Sequence, residues 1–200
     1  MVHIGGSRLF WKAKRLSDVV LSVLLVPLLV LTAIALLCLN PFFNPGPLFF
    51  RQLRVGQHGG LFEIYKFRTM RQGSTSARFA DTETHRITSL GRFMRRYRLD
   101  EVPQILNILK GEMSLIGPRP EQPEFVREYE RTLPGYRLRH AVRPGLSGLS
   151  QVLQGYTNDT HGTERKLALD LRYIRQSGFR MEVYILWRTV ITVATGYGAL

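Results

Sequence analysis

The chain has 200 residues, enough for one domain with a sizeable core, and carries 28 Lys+Arg against 15 Asp+Glu, a net charge of +13. That excess points to a polyanionic partner: nucleic acid, anionic lipid or a phosphorylated substrate. A single cysteine, Cys38, excludes an intrachain disulfide, and the histidines His3, His58, His85, His140 and His161 lack the spacing of a zinc site.

Residues 1–18 are basic and partly aromatic, with Arg8, Phe10, Trp11, Lys12, Lys14 and Arg15. They read as an interfacial lead-in, since indole and cations suit lipid headgroups. Val19 to Leu39 then runs 21 residues without a charge. At about 1.5 Å per residue a helix of that length matches a hydrocarbon core of roughly 30 Å. It is too long for a signal peptide, and no small-x-small cleavage site follows. Pro27 lies near its middle and predicts a kink. Cations flank both ends, with Arg51, Arg54, Lys66 and Arg68 following, so both flanks favour the cytoplasm. A re-entrant helix over 19–39, kinked at Pro27 and returning to the same face, satisfies both. Ser22 is placed to serve the backbone groups the proline frees.

Asn40 to Pro47 is a turn-rich exit. Leu48 to Val55 and Leu61 to Phe67 predict two strands around Gly56–Gly60. The second delivers Lys66 and Arg68 on either side of Phe67. Gln72 to Glu83 reads as a polar loop. From His85 to Leu99, Ile87, Leu90, Phe93, Met94 and Tyr97 recur at helical spacing, with Arg92, Arg95, Arg96 and Arg98 opposite. Asp100 to Lys110 predicts a further helix. Pro103 is tolerated only in its first turn, which places Asp100 and Glu101 at the start, and Gly111 ends it.

Two adjacent acids enclosed by arginines are unusual in so basic a chain. Nearby cations favour their ionised forms. Such a carboxylate can attack phosphorus, hold a divalent metal or form salt bridges, and Asp100 alone also reads as a plain N-cap. Gly117-Pro118-Arg119-Pro120 restricts the backbone on both sides of one arginine, either to preset a phosphate clamp or to stiffen a loop. Arg143-Pro144-Gly145 begins a second restrained arginine and a glycine turn whose amides are candidates for phosphate. Beyond these, Glu121 to Leu133 predicts a solvated polar helix, Gly155 to Gly162 a loop, Glu164 to Gln176 an amphipathic helix, and Met181 to Thr195 an apolar helix that packs in the core or lies at an interface.

Taken together, these pieces resemble the bacterial sugar transferases, the monotopic polyprenyl-phosphate phosphoglycosyl transferases. The resemblance rests on the basic start with its Pro-broken apolar segment and on Arg54-Val55-Gly56 with Phe62 to Met70. It continues through Leu99-Asp100-Glu101-Val102-Pro103-Gln104, Asn107 to Pro120 and Arg143-Pro144-Gly145, in family order, over roughly residues 10 to 195. Val102 departs from the usual Leu, and Ser147 and Ser150 from the usual Thr and Ala; no charged position is touched. The chain looks like the catalytic unit alone, without the extra N-terminal domains of longer members.

The resemblance implies transfer of a sugar-1-phosphate from a UDP-sugar to undecaprenyl phosphate, with release of UMP. Asp100 is then the expected nucleophile, through a phosphosugar–aspartyl intermediate, with Glu101 assisting. Mg²⁺ is the expected cofactor, with Asp100 as ligand. Arg95 and Arg119, the latter between Pro118 and Pro120, are expected to bind phosphate, with Lys66, Arg68 and Arg143 as further candidates. The expected fold is α+β rather than Rossmann: a membrane-embedded helix over 19–39, a small hairpin, and surface-lying helices around one catalytic core over 40–200. Expected partners are the two substrates and the bilayer, with a homodimer allowed and no nucleic acid. The expected location is the cytoplasmic face of the bacterial inner membrane. The rival readings are a non-catalytic basic protein for membrane surfaces or nucleic acid, for which Asp100 and Glu101 have no use, and a glycosyltransferase releasing UDP.

Overall fold

Ser7 opens the first helix: its hydroxyl accepts the Phe10 amide at 3.1 Å, as an N-cap does. The computed structural model describes residues 3–71, 85–154 and 160–196. Helix α1 (Arg8–Leu24) takes in most of the basic lead-in and the first part of the apolar run. It breaks at Leu25, and α2 (Val26–Phe43) continues with Pro27 in its first turn. The break precedes Pro27 because a proline ring obstructs the turn before it, while the first turn of a new helix accepts it. Ser22 does not serve the break: its Oγ is buried without a hydrogen-bond partner, and the Leu25 amide bonds the Leu21 and Ser22 carbonyls instead. Together α1 and α2 are long and apolar enough to cross a membrane, by length and composition. Leu28, Val30, Leu31, Ile34 and Leu37 of α2 are exposed.

The hairpin forms as the sequence predicts. β1 (Phe49–Val55) and β2 (Leu61–Phe67) pair antiparallel, from Phe49 opposite Phe67 to Val55 opposite Leu61. The predicted helix over 85–99 contracts to α3 (Ser89–Arg96), because Thr88 caps it through the Gly91 amide and Ile87 forms a bridge with Met70. The predicted helix over 100–110 also divides. Leu99–Gln104 is a 3₁₀ turn and only α4 (Ile105–Lys110) is α-helical. Arg98 enters that turn with φ 56°, and Pro103 has no amide to bond four residues back. Gly111 ends α4 with φ 86°, as expected.

A second, parallel pair joins β3 (Ser114–Ile116) to β4 (Gly145–Ser147). A Cβ at Gly117 would lie 2.5 Å from the Arg143 carbonyl, and one at Gly145 2.1 Å from the Gly117 amide, so the two motifs meet backbone to backbone. The remaining helices are α5 (Pro123–Thr132), α6 (Leu149–Gln154), α7 (Thr160–Arg175) and α8 (Phe179–Thr195), with a 3₁₀ turn at Tyr136–Ala141. Helix α5 is less solvated than its composition suggests, since Val126 is buried with Val55, Leu133 and Tyr136. The predicted loop over Gln72 to Glu83 lies outside the described residues. So do 155–159 of the loop predicted from Gly155, while Thr160 to Gly162 already belong to α7. Among the described residues the sheets are these two pairs, an α+β arrangement.

Both ends of the broken helix are tied to this domain. On α1, the residues Phe10, Lys14, Asp18 and Ser22 recur every fourth position and are buried. Lys14 bonds Glu182 of α8 at 2.6 Å, and Asp18 accepts the Ser114 hydroxyl at 2.7 Å and the Leu115 amide at 3.1 Å. Arg15 donates to the Ile108 and Leu109 carbonyls at the end of α4. On α2, Leu29 and Leu36 pack with Phe67, Met94 and Ile105. Beyond its C-terminus, Asn44 donates to the Arg68 carbonyl and accepts the Arg68 guanidinium.

Candidate active site

Asp100 and Glu101 sit in the first turn of the 3₁₀ segment, 7% and 6% exposed. Arg98, just before them, holds a left-handed conformation that costs a non-glycine residue energy. Two cations converge on one oxygen: Glu101 Oε1 accepts Lys66 Nζ from β2 at 2.7 Å and Arg119 Nη2 from the loop after β3 at 2.7 Å. Asp100 Oδ1 is buried with no hydrogen-bond partner.

These surroundings drive the two carboxyls apart. Burial opposes the Glu101 charge, but Arg119 and Lys66 outweigh it and hold Glu101 well below the usual carboxylate range. Burial pushes Asp100 up to about 6, with help from the Glu101 charge and against Lys66, Arg95 and Arg98. The expectation that nearby cations favour the ionised forms holds for Glu101, while at Asp100 desolvation outweighs their pull and raises the value. Two carboxylates with separated titrations can take separate roles. Asp100 is the under-stabilised anion with an unbonded oxygen; Glu101 is the fixed one.

Arg119 reaches the site from a loop gripped through its carbonyls. Pro118 O accepts the Gly145 amide, Arg119 O the Arg139 guanidinium at 2.8 Å, Pro120 O that of Arg54 at 3.2 Å, and Glu121 O the Val55 amide. Pro118 and Pro120 restrict this backbone. Glu121 is ion-paired with Lys166, and that charge, with those of Arg139 and Arg54, overcomes burial and lowers it to about 2.

The other candidates divide. Lys66 belongs to the site. Arg95 donates to Thr69 Oγ1 at 3.0 Å, and its charge reaches Asp100. Arg68 is buried and bonded to Asn44, Pro47 and Met70, a task of holding the chain after α2. Arg143 makes no hydrogen bond among the described residues and lines a cavity of about 290 Å³ with Trp11, Lys14, Arg15, Asp18 and Tyr173; that lining includes neither Asp100, Glu101 nor Arg119. The Gly145 amide of its glycine turn is not open to phosphate, since it bonds Pro118 O. Sequence reasoning passed over Arg139 and Asp170, although Asp170 shares the face of α7 that carries Leu167, Leu171 and Ile174. A charge on an apolar helical face signals a buried partner.

No group of three or more His, Cys, Asp or Glu that could hold a metal occurs among the described residues. That donor set still fits Mg²⁺, which is commonly held by one or two carboxylates and substrate phosphates. The unpartnered Asp100 Oδ1 is the oxygen available to it.

The family described as bacterial sugar transferase matches residues 9–196 of this chain. The chain belongs to the bacterial sugar transferase family. Among its relatives in that family, a UDP-N-acetylgalactosamine-undecaprenyl-phosphate N-acetylgalactosaminephosphotransferase of Aeromonas hydrophila is 44% identical over 188 residues, covering 93% of this chain and 44% of the relative. A UDP-glucose:undecaprenyl-phosphate glucose-1-phosphate transferase of Caulobacter vibrioides is 39% identical, covering 91% and 70%. An exopolysaccharide production protein PSS of Rhizobium leguminosarum is 37% identical, covering 80% and 90%. The chain thus spans less than half of the Aeromonas protein's length.

Proposed function

We propose that this chain is a phosphoglycosyl transferase, moving a sugar-1-phosphate from a UDP-sugar to undecaprenyl phosphate as the first membrane step of a polysaccharide or glycoconjugate. The observation that carries this is the buried pair of unlike carboxyls, one held by two cations and the other left with an oxygen that no hydrogen bond engages. In the first step an Asp100 oxygen attacks the β-phosphorus of the donor. The bond from that phosphorus to the bridging oxygen breaks, and UMP leaves with the electron pair. In the second, an oxygen of the lipid phosphate attacks the phosphosugar–aspartyl, restoring the carboxylate and giving polyprenyl-diphosphate-sugar. Arg119, Lys66 and Arg95 supply positive charge for the phosphates, and Glu101 orients the first two. Asp100 and the donor diphosphate would hold Mg²⁺, which would supply charge neutralisation.

We place the broken helix as a re-entrant anchor on the cytoplasmic face of the inner membrane. Attachment of Lys14 and Asn44 to one domain supports this. A straight helix would separate these two attachments by about 45 Å, more than a hydrocarbon core of roughly 30 Å, and so put them on opposite sides of the bilayer. The dyad also disfavours the binding-only readings, because buried acids repel polyanions.

The test is UMP release by purified protein with undecaprenyl phosphate, Mg²⁺ and a panel of UDP-sugars, beside Asp100→Asn and Glu101→Gln. UMP from the wild type and none from Asp100→Asn supports the assignment; UDP as product, or full activity in Asp100→Asn, overturns it.

A further inference from the structure

Arg139 is a fully employed, 2% exposed cation. Its Nε and Nη2 donate to Asp170 Oδ2 at 3.0 and 2.7 Å, and its Nη1 donates to the Tyr136 hydroxyl at 2.8 Å. Nη2 also reaches the Arg119 carbonyl at 2.8 Å. Asp170, 1% exposed, turns its other oxygen to the Ser150 hydroxyl at 2.8 Å. The network ties the 136–141 turn, α6 and α7 to a single carbonyl, that of the residue whose side chain holds Glu101.

We propose that Arg139 and Asp170 are a positioning pair for Arg119, fixing its guanidinium on Glu101 by gripping its main chain. This inference rests on the reading of Asp100 and Glu101 as the reacting dyad. Pro118 and Pro120 already fix the neighbouring φ angles, and a residue before proline is confined to extended ψ. What remains is the Arg119 φ, whose rotation tilts the Arg119 carbonyl, and the Arg139 bond selects it. A small tilt there is magnified along the arginine side chain, and a misplacement near 1 Å at a catalytic group costs about a hundredfold in rate. Burial keeps Arg139 and Asp170 from touching substrate, so they act through Arg119.

Lysine cannot reproduce this. It keeps the charge beside Asp170 but lacks the planar fork that serves Asp170, Tyr136 and the carbonyl together. Arg139→Lys should therefore lower kcat about tenfold or more while leaving KM for the donor within about twofold. With the Arg119 cation displaced, Glu101 loses the largest of the charges that hold it down. Arg139→Lys combined with Arg119→Lys should be no slower than Arg119→Lys alone, since both act through one guanidinium. Effects that multiply, or a kcat unchanged after correction for folded fraction, would overturn the proposal. If Arg139→Lys fails to fold, Ser150→Ala loosens Asp170 more gently and should lower kcat by a smaller factor at unchanged donor KM; an unchanged kcat there counts equally against it. Should the wild type release no UMP, ¹³C titration of the labelled Glu101 carboxylate reads the same displacement without turnover: an upward move in Arg139→Lys sustains the positioning role, and no move overturns it.

Discussion

Asp100 bears a conflict that one substitution exposes. Its titration stands near 6 rather than 3.8, because burial disfavours the anion. The stability associated with this raised value is full below about pH 4 and is lost as pH rises through about 6. Asp100→Asn removes that cost, so at pH 7 it should raise stability by on the order of 2 kcal/mol, and the melting temperature with it, while reducing UMP release by about 10⁴-fold or more. A melting scan beside the assay checks both. For the wild type, kcat/KM should fall tenfold per pH unit below about pH 6 as Asp100 takes a proton. Glu121 has the opposite sign. Its value is lowered to about 2, so its contribution, about 3 kcal/mol, is present above roughly pH 4.5 and lost as pH falls toward 2. The two groups therefore oppose each other in an acid melting series, and Glu121→Gln should flatten its steep acid side. Two arginines that the sequence offers for phosphate, Arg119 first and Arg68 as a further candidate, separate at this scale. Arg68→Gln should cost about 2–4 kcal/mol of stability and leave donor KM unchanged in the folded fraction, whereas Arg119→Gln should lower turnover with little loss of stability.

At the scale of elements, what was legible in the sequence is what depends on neighbours in sequence. The hairpin, the Gly111 stop and the apolar run announce themselves through alternation, punctuation and length. The 3₁₀ turn did not, because the periodicity of Val102, Ile105, Leu106 and Leu109 reads as one helix, and nothing local shows that Arg98 reverses its φ. The pairing of Ser114–Ile116 with Gly145–Ser147 joins segments some 30 positions apart, three residues each. Segments so short carry no periodic signal, so two motifs appeared as separate phosphate loops when their glycines in fact meet each other. The cations of the site were visible as a set; which of them faces Glu101 was not, since Lys66 and Arg68 share one side of a strand and only the tertiary fold sends one to the dyad and the other to Asn44. Helix α1 offers a test at this scale. Lys14 is buried against Glu182 and Asp18, and Lys14→Ala leaves those acids without it. Breaking such a pair costs about 3–5 kcal/mol, so a detergent melt should show a large loss, and Lys14→Arg should restore part of it.

For the whole molecule, the decisive geometry is that of the anchor. In a Cys38→Ser background, His3→Cys and Arg51→Cys should both react with a membrane-impermeant maleimide from the same side of sealed vesicles; labelling from opposite sides would show a straight span. Helix α8 lines up with this placement, since Phe179, Val183, Trp187 and Val190 are exposed on it.

The packing of α2 carries one more consequence. Leu29 and Leu36 share a cluster with Phe67, Met94 and Ile105, and Leu99 and Val102 lie against it. Those residues adjoin Lys66, Arg95, Asp100 and Glu101 in the chain. Helix α2 therefore backs the segments that carry the candidate site, and on the proposed re-entrant placement the lipid around it is in mechanical register with the dyad. Enzyme in short-chain detergent should keep its secondary structure yet turn over more slowly than the same enzyme in nanodiscs, and bilayers of graded thickness should tune its rate as a dial does.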